Sequence, residues 1–194
     1  GLITKEDTDG IKIKWGKYKT YIELVERLVS QKNDFYKALA KGVDYASSIY
    51  GGEDFAMAYG KNEMPGYTTG PATFIGCLIG SRHCHLDNGG YGMDQVQFIK
   101  TGKITMTPQE IAEALIKEEA WRQILSSLHV CFFARGVYTD EIVSEALAAV
   151  GIEMDGKQLR ELGMEILKAK YKFKVQEGFS LDNIRIPART FEKG

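Results

Sequence analysis

The sequence predicts a mainly α-helical protein, all-α in class, with at most short strands near 55–60. Two observations carry that prediction. Apolar residues recur at intervals of three and four over most of the chain, the spacing that gathers them on one face of a helix. In the second half, three such stretches also open on residues suited to cap a helix N-terminus.

The elements follow in order. From Tyr18, the residues Ile22, Val25, Leu28 and Val29 predict a first helix. A second, capped by Asp34, carries Phe35, Leu39, Val43 and Ala46, and the two are expected to pack as a hairpin. The stretch "GGEDFAMAYGKNEMPGY" reads as an irregular crossing because of its glycines and lone proline. Next, "GPATFIGCLIGS" is apolar and rich in small residues; if helical, Gly76 and Gly80 would let another backbone come close. Thr107, Pro108 and Glu110 supply an N-cap, a proline at the first helical position and a capping-box acid. They predict a long helix over 108–128 with Ile111, Leu115, Trp121, Ile124 and Leu125 along it. Thr139 with Asp140 and Glu141 starts a helix over 139–150, ending at Gly151. Asp155 starts a third over 156–171, its inner stripe Leu159, Leu162, Ile166 and Tyr171. The tail "GFSLDNIRIPARTFEKG" is basic, without periodicity, and reads as extended; no repeat or low-complexity tract occurs.

Composition bounds the function. A chain of 194 residues with 44% hydrophobic content can bury a sizeable core. With 25 basic against 26 acidic residues its net charge is −1, too small a field to gather nucleic acid or an anionic membrane, and neither is an expected partner. No apolar run approaches the roughly eighteen residues of a membrane span, and no signal-peptide pattern opens the chain, so a cytoplasmic setting is expected. The three cysteines, Cys77, Cys84 and Cys131, suit reduced thiols or metal ligands better than a disulfide framework. The opening "GLITKEDTDGIKIKWG" lacks an initiator methionine and reads like the interior of a protein, which predicts a fragment.

The chemistry concentrates in "GSRHCHLDNGGYG", residues 80–92, which admits a metal site, half a catalytic centre or a tight turn that carries polar residues. His83, Cys84 and His85 cannot all face one metal in regular structure, because neighbours alternate sides in a strand and diverge by roughly 100° in a helix. No CxxC, HExxH, Walker or GxGxxG pattern nominates zinc or nucleotide chemistry. Cys131, in the apolar "LHVCFFARG", reads by itself as a buried thiol acting as a small hydrophobe.

Four blocks in order carry more than any one of them. "GLITKEDTDGIKIKWG", "EMPGYTTGPATFIGCLIGSRHCHLDN", "SLHVCFFARGVY" and "FKVQEGFSLDNIRIPARTF" together resemble the C-terminal region of tungsten-containing aldehyde:ferredoxin oxidoreductases, over almost the whole chain. The resemblance implies the C-terminal helical domains of that fold, with residues 1–54 the end of the middle helical domain and 55–194 the C-terminal one. The histidine of the family's "CHL" motif lies close to the tungsten and is proposed to handle a proton; His85 holds that position. The cysteine of its "DxxGLC" motif is the fourth ligand of a [4Fe-4S] cluster, and Cys131 matches it. Reading that motif back from Cys131 puts Ser126 where the family has a pterin-binding Asp and His129 where it has Gly. Asp87 follows "CHL" where many relatives carry a basic residue, and "DNGGYGMDQ" looks closer to divergent branches. Cys131, Ser126, His129 and Asp87 are thus the candidate cofactor-binding residues, with Cys131 the candidate metal ligand.

The implied activity is oxidation of aldehydes to carboxylic acids with ferredoxin as electron acceptor, this chain forming one wall of a tungstopterin and iron–sulfur centre. The tungsten-bis-pterin and the other cluster ligands would belong to a missing N-terminal cofactor domain, so this chain alone is expected to be inactive and to hold no cofactor. Homo-oligomerisation is allowed. Two alternatives stand beside this reading: the tungsten subunit of an aromatic acyl-CoA reductase type enzyme, and a stand-alone helical interaction module without cofactor.

Overall fold

A computed structural model describes residues 7–192. The first six residues of the "GLITKEDTDG" block therefore lie outside the described residues. Eight α-helices, three short 3-10 helices, two of them in the tail read as extended, and one two-residue-by-two-residue sheet make up the regular structure of the described residues, in agreement with the mainly helical class. The chain divides into two compact units, one of residues 1–64 with 185–194, the other of residues 65–184. Residues 55–64 and the tail fold with the first unit.

In the first unit, α1 spans Tyr18–Ser30, α2 Asp34–Leu39 and α3 Val43–Tyr50. The single helix read from Asp34 through Ala46 is corrected to two. Lys41 and Gly42 turn the chain, with Gly42 at φ +100°, and α3 restarts with its Val43 amide donating to the Glu63 carboxylate at 2.8 Å. The cap is likewise Asn33, whose Oδ1 accepts from the Tyr36 amide at 3.1 Å, while Asp34 is already helical. Tyr36 is fully buried and donates to the Thr8 carbonyl at 2.9 Å, which ties the segment before α1 to α2. α1 contacts α2, but its apolar stripe is largely exposed, with Ile22, Val25 and Val29 solvent-facing. Strands β1 (Ala58–Tyr59) and β2 (Asn62–Glu63) pair antiparallel through a Gly60–Lys61 turn with both φ positive, the combination a tight hairpin needs. The tail returns here, with Arg189 N donating to Asp54 O at 2.8 Å and Arg185 paired to Asp44 at 2.6 Å.

In the second unit, α4 is Pro71–Ile79, α5 Gly90–Thr101, α6 Pro108–Ser127, α7 Asp140–Ala148 and α8 Gly156–Gln176. The cap signals at Thr107, Thr139 and Asp155 all form, two of them as reciprocal capping boxes with Glu110 and Gln158. α8 runs on to Gln176, a turn or more beyond 171. Trp121, Ile124, Leu125, Val143 and Leu159 form one core between α6, α7 and α8, and Ala72, Ile111 and Leu115 seed another under α4 and α6.

No helical stripe announces α5, because its inward residues are Gly90, Asp94 and Gln97. Their spacing is helical but their chemistry is polar. Asp94, fully buried, accepts from the Ala72 and Thr73 amides at 3.1 and 2.9 Å and from the Thr73 hydroxyl, so it caps α4 from outside where Gly70 offers no side chain. Gln97 Oε1 accepts from the Thr105 and Met106 amides at 2.9 and 3.0 Å. Among the described residues no helix is long and apolar enough to cross a membrane.

Candidate functional site

The loop joining α4 to α5, residues 80–89, carries the two histidines, and Asp87 shapes it. This carboxylate is wholly buried: Oδ1 accepts from Arg82 Nε at 2.7 Å, and Oδ2 from the Arg82 and Cys84 amides at 2.9 and 3.1 Å. Both oxygens are thereby committed to the loop's own backbone and to Arg82, which leaves Asp87 a poor fit as a cofactor contact and makes it the pivot of the turn. At Gly76 and Gly80 the loop's Asn88 and Asp87 side chains come close to α4, where the spacing suggested another backbone; the close backbone approach is that of Gly90 to Ala72. A Cβ at Gly76 would sit 2.3 Å from Asn88 Oδ1.

α6 and α8 grip the ends of the loop. Glu119 accepts from the Ser81 amide at 2.7 Å and from Asn88 Nδ2 at 3.4 Å, and its burial raises its pKa. Lys174 Nζ donates to Gly80 O at 2.9 Å and Tyr171 OH to Ile79 O, closing the C-terminal end of α4. Arg122, 3% exposed, donates from Nη1 to Leu86 O at 3.0 Å.

His83 and His85 part ways within this frame. His83 takes φ +54°, and its Nδ1 donates to the Cys77 carbonyl at 3.2 Å while the ring leans on Phe179. His85 is half-buried against Tyr67 and Tyr91, at centroid separations of 5.1 and 6.0 Å, with the two tyrosines stacked on each other at 4.8 Å. Cys84 Sγ lies 3.7 Å from its Nδ1. Burial pulls the His85 pKa below the usual imidazole value, the Arg122 charge pulls it further, and Asp87 partly opposes both. The ring is therefore neutral near pH 7, with a lone pair able to take a proton.

Cys131 is delivered by the turn that ends α6. The His129 amide donates to Ser126 O at 3.1 Å and the Val130 amide to Leu125 O, with His129 at φ +56°. That left-handed conformation favours glycine, the residue the family pattern has there, so the position is a backbone requirement before it is a ligand position. Ser126 is half-buried within this turn, while His129 and Cys131 are exposed. Cys77, by contrast, is buried and its thiol is pushed up to about 11. Among the described residues no cluster of three or more His, Cys, Asp or Glu could hold a metal by itself. Cys131 offers a single exposed thiol at the end of this turn.

The two motifs meet at Arg122. Its Nη1 holds Leu86, next to His85, and its guanidinium lies 5.4 Å from the centre of the Phe132 ring, next to Cys131. Sequence reasoning missed Arg122, Glu119, Tyr67 and Tyr91. The available signal was the run "EEAWRQ", which sets Glu119, Arg122 and Gln123 among core residues of a helix that consequently lacks a clean polar face.

A histidine loop and an exposed cysteine turn thus both lie against one buried arginine of a helical domain. A family model described as aldehyde ferredoxin oxidoreductase, domains 2 & 3, matches residues 1–194, and the chain belongs to that family of oxidoreductases. Neither the comparison with curated proteins nor that with solved structures gives a match.

Proposed function

We propose that in the intact protein this chain walls one side of a tungstopterin and [4Fe-4S] centre that oxidises an aldehyde to a carboxylic acid and passes electrons to ferredoxin. The observation that carries the reading is the half-buried His85 ring, held by a loop that shares Arg122 with the Cys131 turn. Converting an aldehyde and water to a carboxylate releases two electrons and three protons, and the bound metal centre supplies the electron acceptor. His85 accepts one of those protons, from water or from the hydrated carbonyl, and its lowered pKa lets it pass the proton on. Tyr67 and Tyr91 pack against the ring and hold its orientation. Cys131 is the residue that would ligate the cluster, with Ser126 and His129 forming the turn that presents it.

The family description covers domains 2 and 3, which supports a further cofactor-bearing domain as the partner of this chain. Three free thiols suit a reducing, cytoplasmic setting. The test is the intact protein purified anaerobically with tungsten, molybdenum, iron and sulfide quantified, and assayed with aldehydes and ferredoxin beside an aromatic acyl-CoA. Aldehyde turnover lost in His85→Asn, and iron lost in Cys131→Ser, support the reading. Reduction of the acyl-CoA without aldehyde oxidation would assign the chain to the reductase type, and a protein with neither metal nor turnover would make it an interaction module.

A further inference from the structure

We infer that Arg122 is a positioning residue that ties the His85 loop to the Cys131 turn, so that the two motifs move as one body. The inference rests on the proposed roles of His85 and Cys131 and adds a residue that neither motif contains. Three contacts make the case. Arg122 Nη1 donates to Leu86 O at 3.0 Å, the carbonyl immediately after His85. Its guanidinium faces the Phe132 ring at 5.4 Å, immediately after Cys131. Its Nη2 lies 2.2 Å from where a Cβ would stand on Gly89, whose φ of +64° and missing side chain let the loop close over the guanidinium. Nε pairs with Glu118 at 2.8 Å, which fixes the fork from behind.

A guanidinium offers several donors in one rigid plane and an apolar face for an aromatic ring. Lysine, with a single charged point, cannot hold Leu86 O and cover Phe132 together. The charge matters as well as the shape. Facing the His85 ring are Arg122 from α6, Asp87 and Cys84 from its own loop, Tyr67 from the preceding segment and Tyr91 from α5. Arg122 is the cation of this set, and it disfavours the imidazolium.

The experiment uses the full chain and imidazole NMR, with His83, His85 and His129 assigned by single His→Gln variants. Phe132→Leu leaves Arg122 in place but removes its aromatic face. It is expected to move the His85 ring resonances and leave those of His83 still. In an Arg122→Lys background the same Phe132→Leu change should leave His85 unmoved, because the link is already cut. Arg122→Gln removes the charge and should raise the His85 midpoint, while Arg122→Lys should not. No response of His85 to Phe132→Leu with Arg122 present, or an equal response in the Arg122→Lys background, would overturn the inference. Should Arg122→Gln fail to fold, the Phe132 comparison alone decides. The underlying reading fails separately, through turnover of the intact protein that does not depend on His85.

Discussion

Gly76→Ala offers a test in which two opposing effects can be weighed. Gly76 lies inside α4, where alanine would ordinarily stabilise by about 1 kcal/mol through helix propensity. Here a Cβ would stand 2.3 Å from Asn88 Oδ1 and 3.1 Å from both Cγ and Nδ2, so Asn88 must retreat by about 1 Å to reach ordinary contact. It has nowhere easy to go. Asn88 is 3% exposed, its Oδ1 accepts from the Gly90 amide at 3.2 Å, and its Nδ2 donates to Glu119 at 3.4 Å. Overpacking of this kind costs about 1–3 kcal/mol, and the weakening of one of these buried hydrogen bonds, about 1 kcal/mol, offsets the propensity gain, so the expected net loss is about 1–3 kcal/mol. Urea unfolding followed by Trp121 fluorescence reads it, because Trp121 sits in the core of the second unit while Trp15 is 92% exposed. At a slope of about 2 kcal/mol/M the midpoint should fall by about 1 M. Gly92→Ala is the control: nothing lies within 4 Å of its Cβ position in α5, and it should gain roughly 0.5–1 kcal/mol. A Gly76→Ala midpoint equal to or above that of the parent would refute the account of how the loop seats on α4.

Three further outcomes are expected. His85→Asn in the intact protein should lower turnover by on the order of 10²-fold or more with metal content retained, read by steady-state kinetics and metal analysis. Iodoacetamide at neutral pH should modify the exposed Cys131 well before Cys77, whose thiol is pushed up to about 11; peptide mass spectrometry follows both, and equal rates would contradict the burial of Cys77. His83 and His85 are both held below the ordinary imidazole value of 6.5, so the unfolded chain binds more protons than the folded one as pH drops. Their contribution to stability is present above that value and is lost as pH falls from it through the folded values, and His83→Gln with His85→Asn should flatten that part of the stability profile.

How far the sequence was legible depended on what each helix turns inward. α6 and α8 were readable because local caps and an apolar stripe agreed, so Thr107 and Asp155 announce helices whose Ile111, Leu115 and Leu159 are then buried. α5 was unreadable for the opposite reason: Asp94 and Gln97 face inward to satisfy the amides of Ala72, Thr73, Thr105 and Met106, and those partners are remote in sequence. The exposed stripe of α1 shows that periodicity reveals an amphipathic helix without revealing what covers it. At the site, His85 and Cys131 were reachable only as motif positions. Arg122, which meets both neighbourhoods, lies inside a helix and matches no motif.

The geometry also sorts the departures from the family pattern by physical kind. His129, where the resemblance implies glycine, takes φ +56°, which costs a residue with a Cβ about 1 kcal/mol or more, and the amides of His129 and Val130 hold the turn toward Cys131 by pairing with Ser126 O and Leu125 O. Asp87 introduces a carboxylate beside His85, yet three donors from Arg82 and Cys84 spend it on the loop backbone. Each departure changes how a backbone segment is held, and each segment then reaches the same guanidinium, through Leu86 on one side and Phe132 on the other. The His85 loop, pivoted on Asp87, and the Cys131 turn, bent at His129, therefore share one further support in the Arg122 side chain.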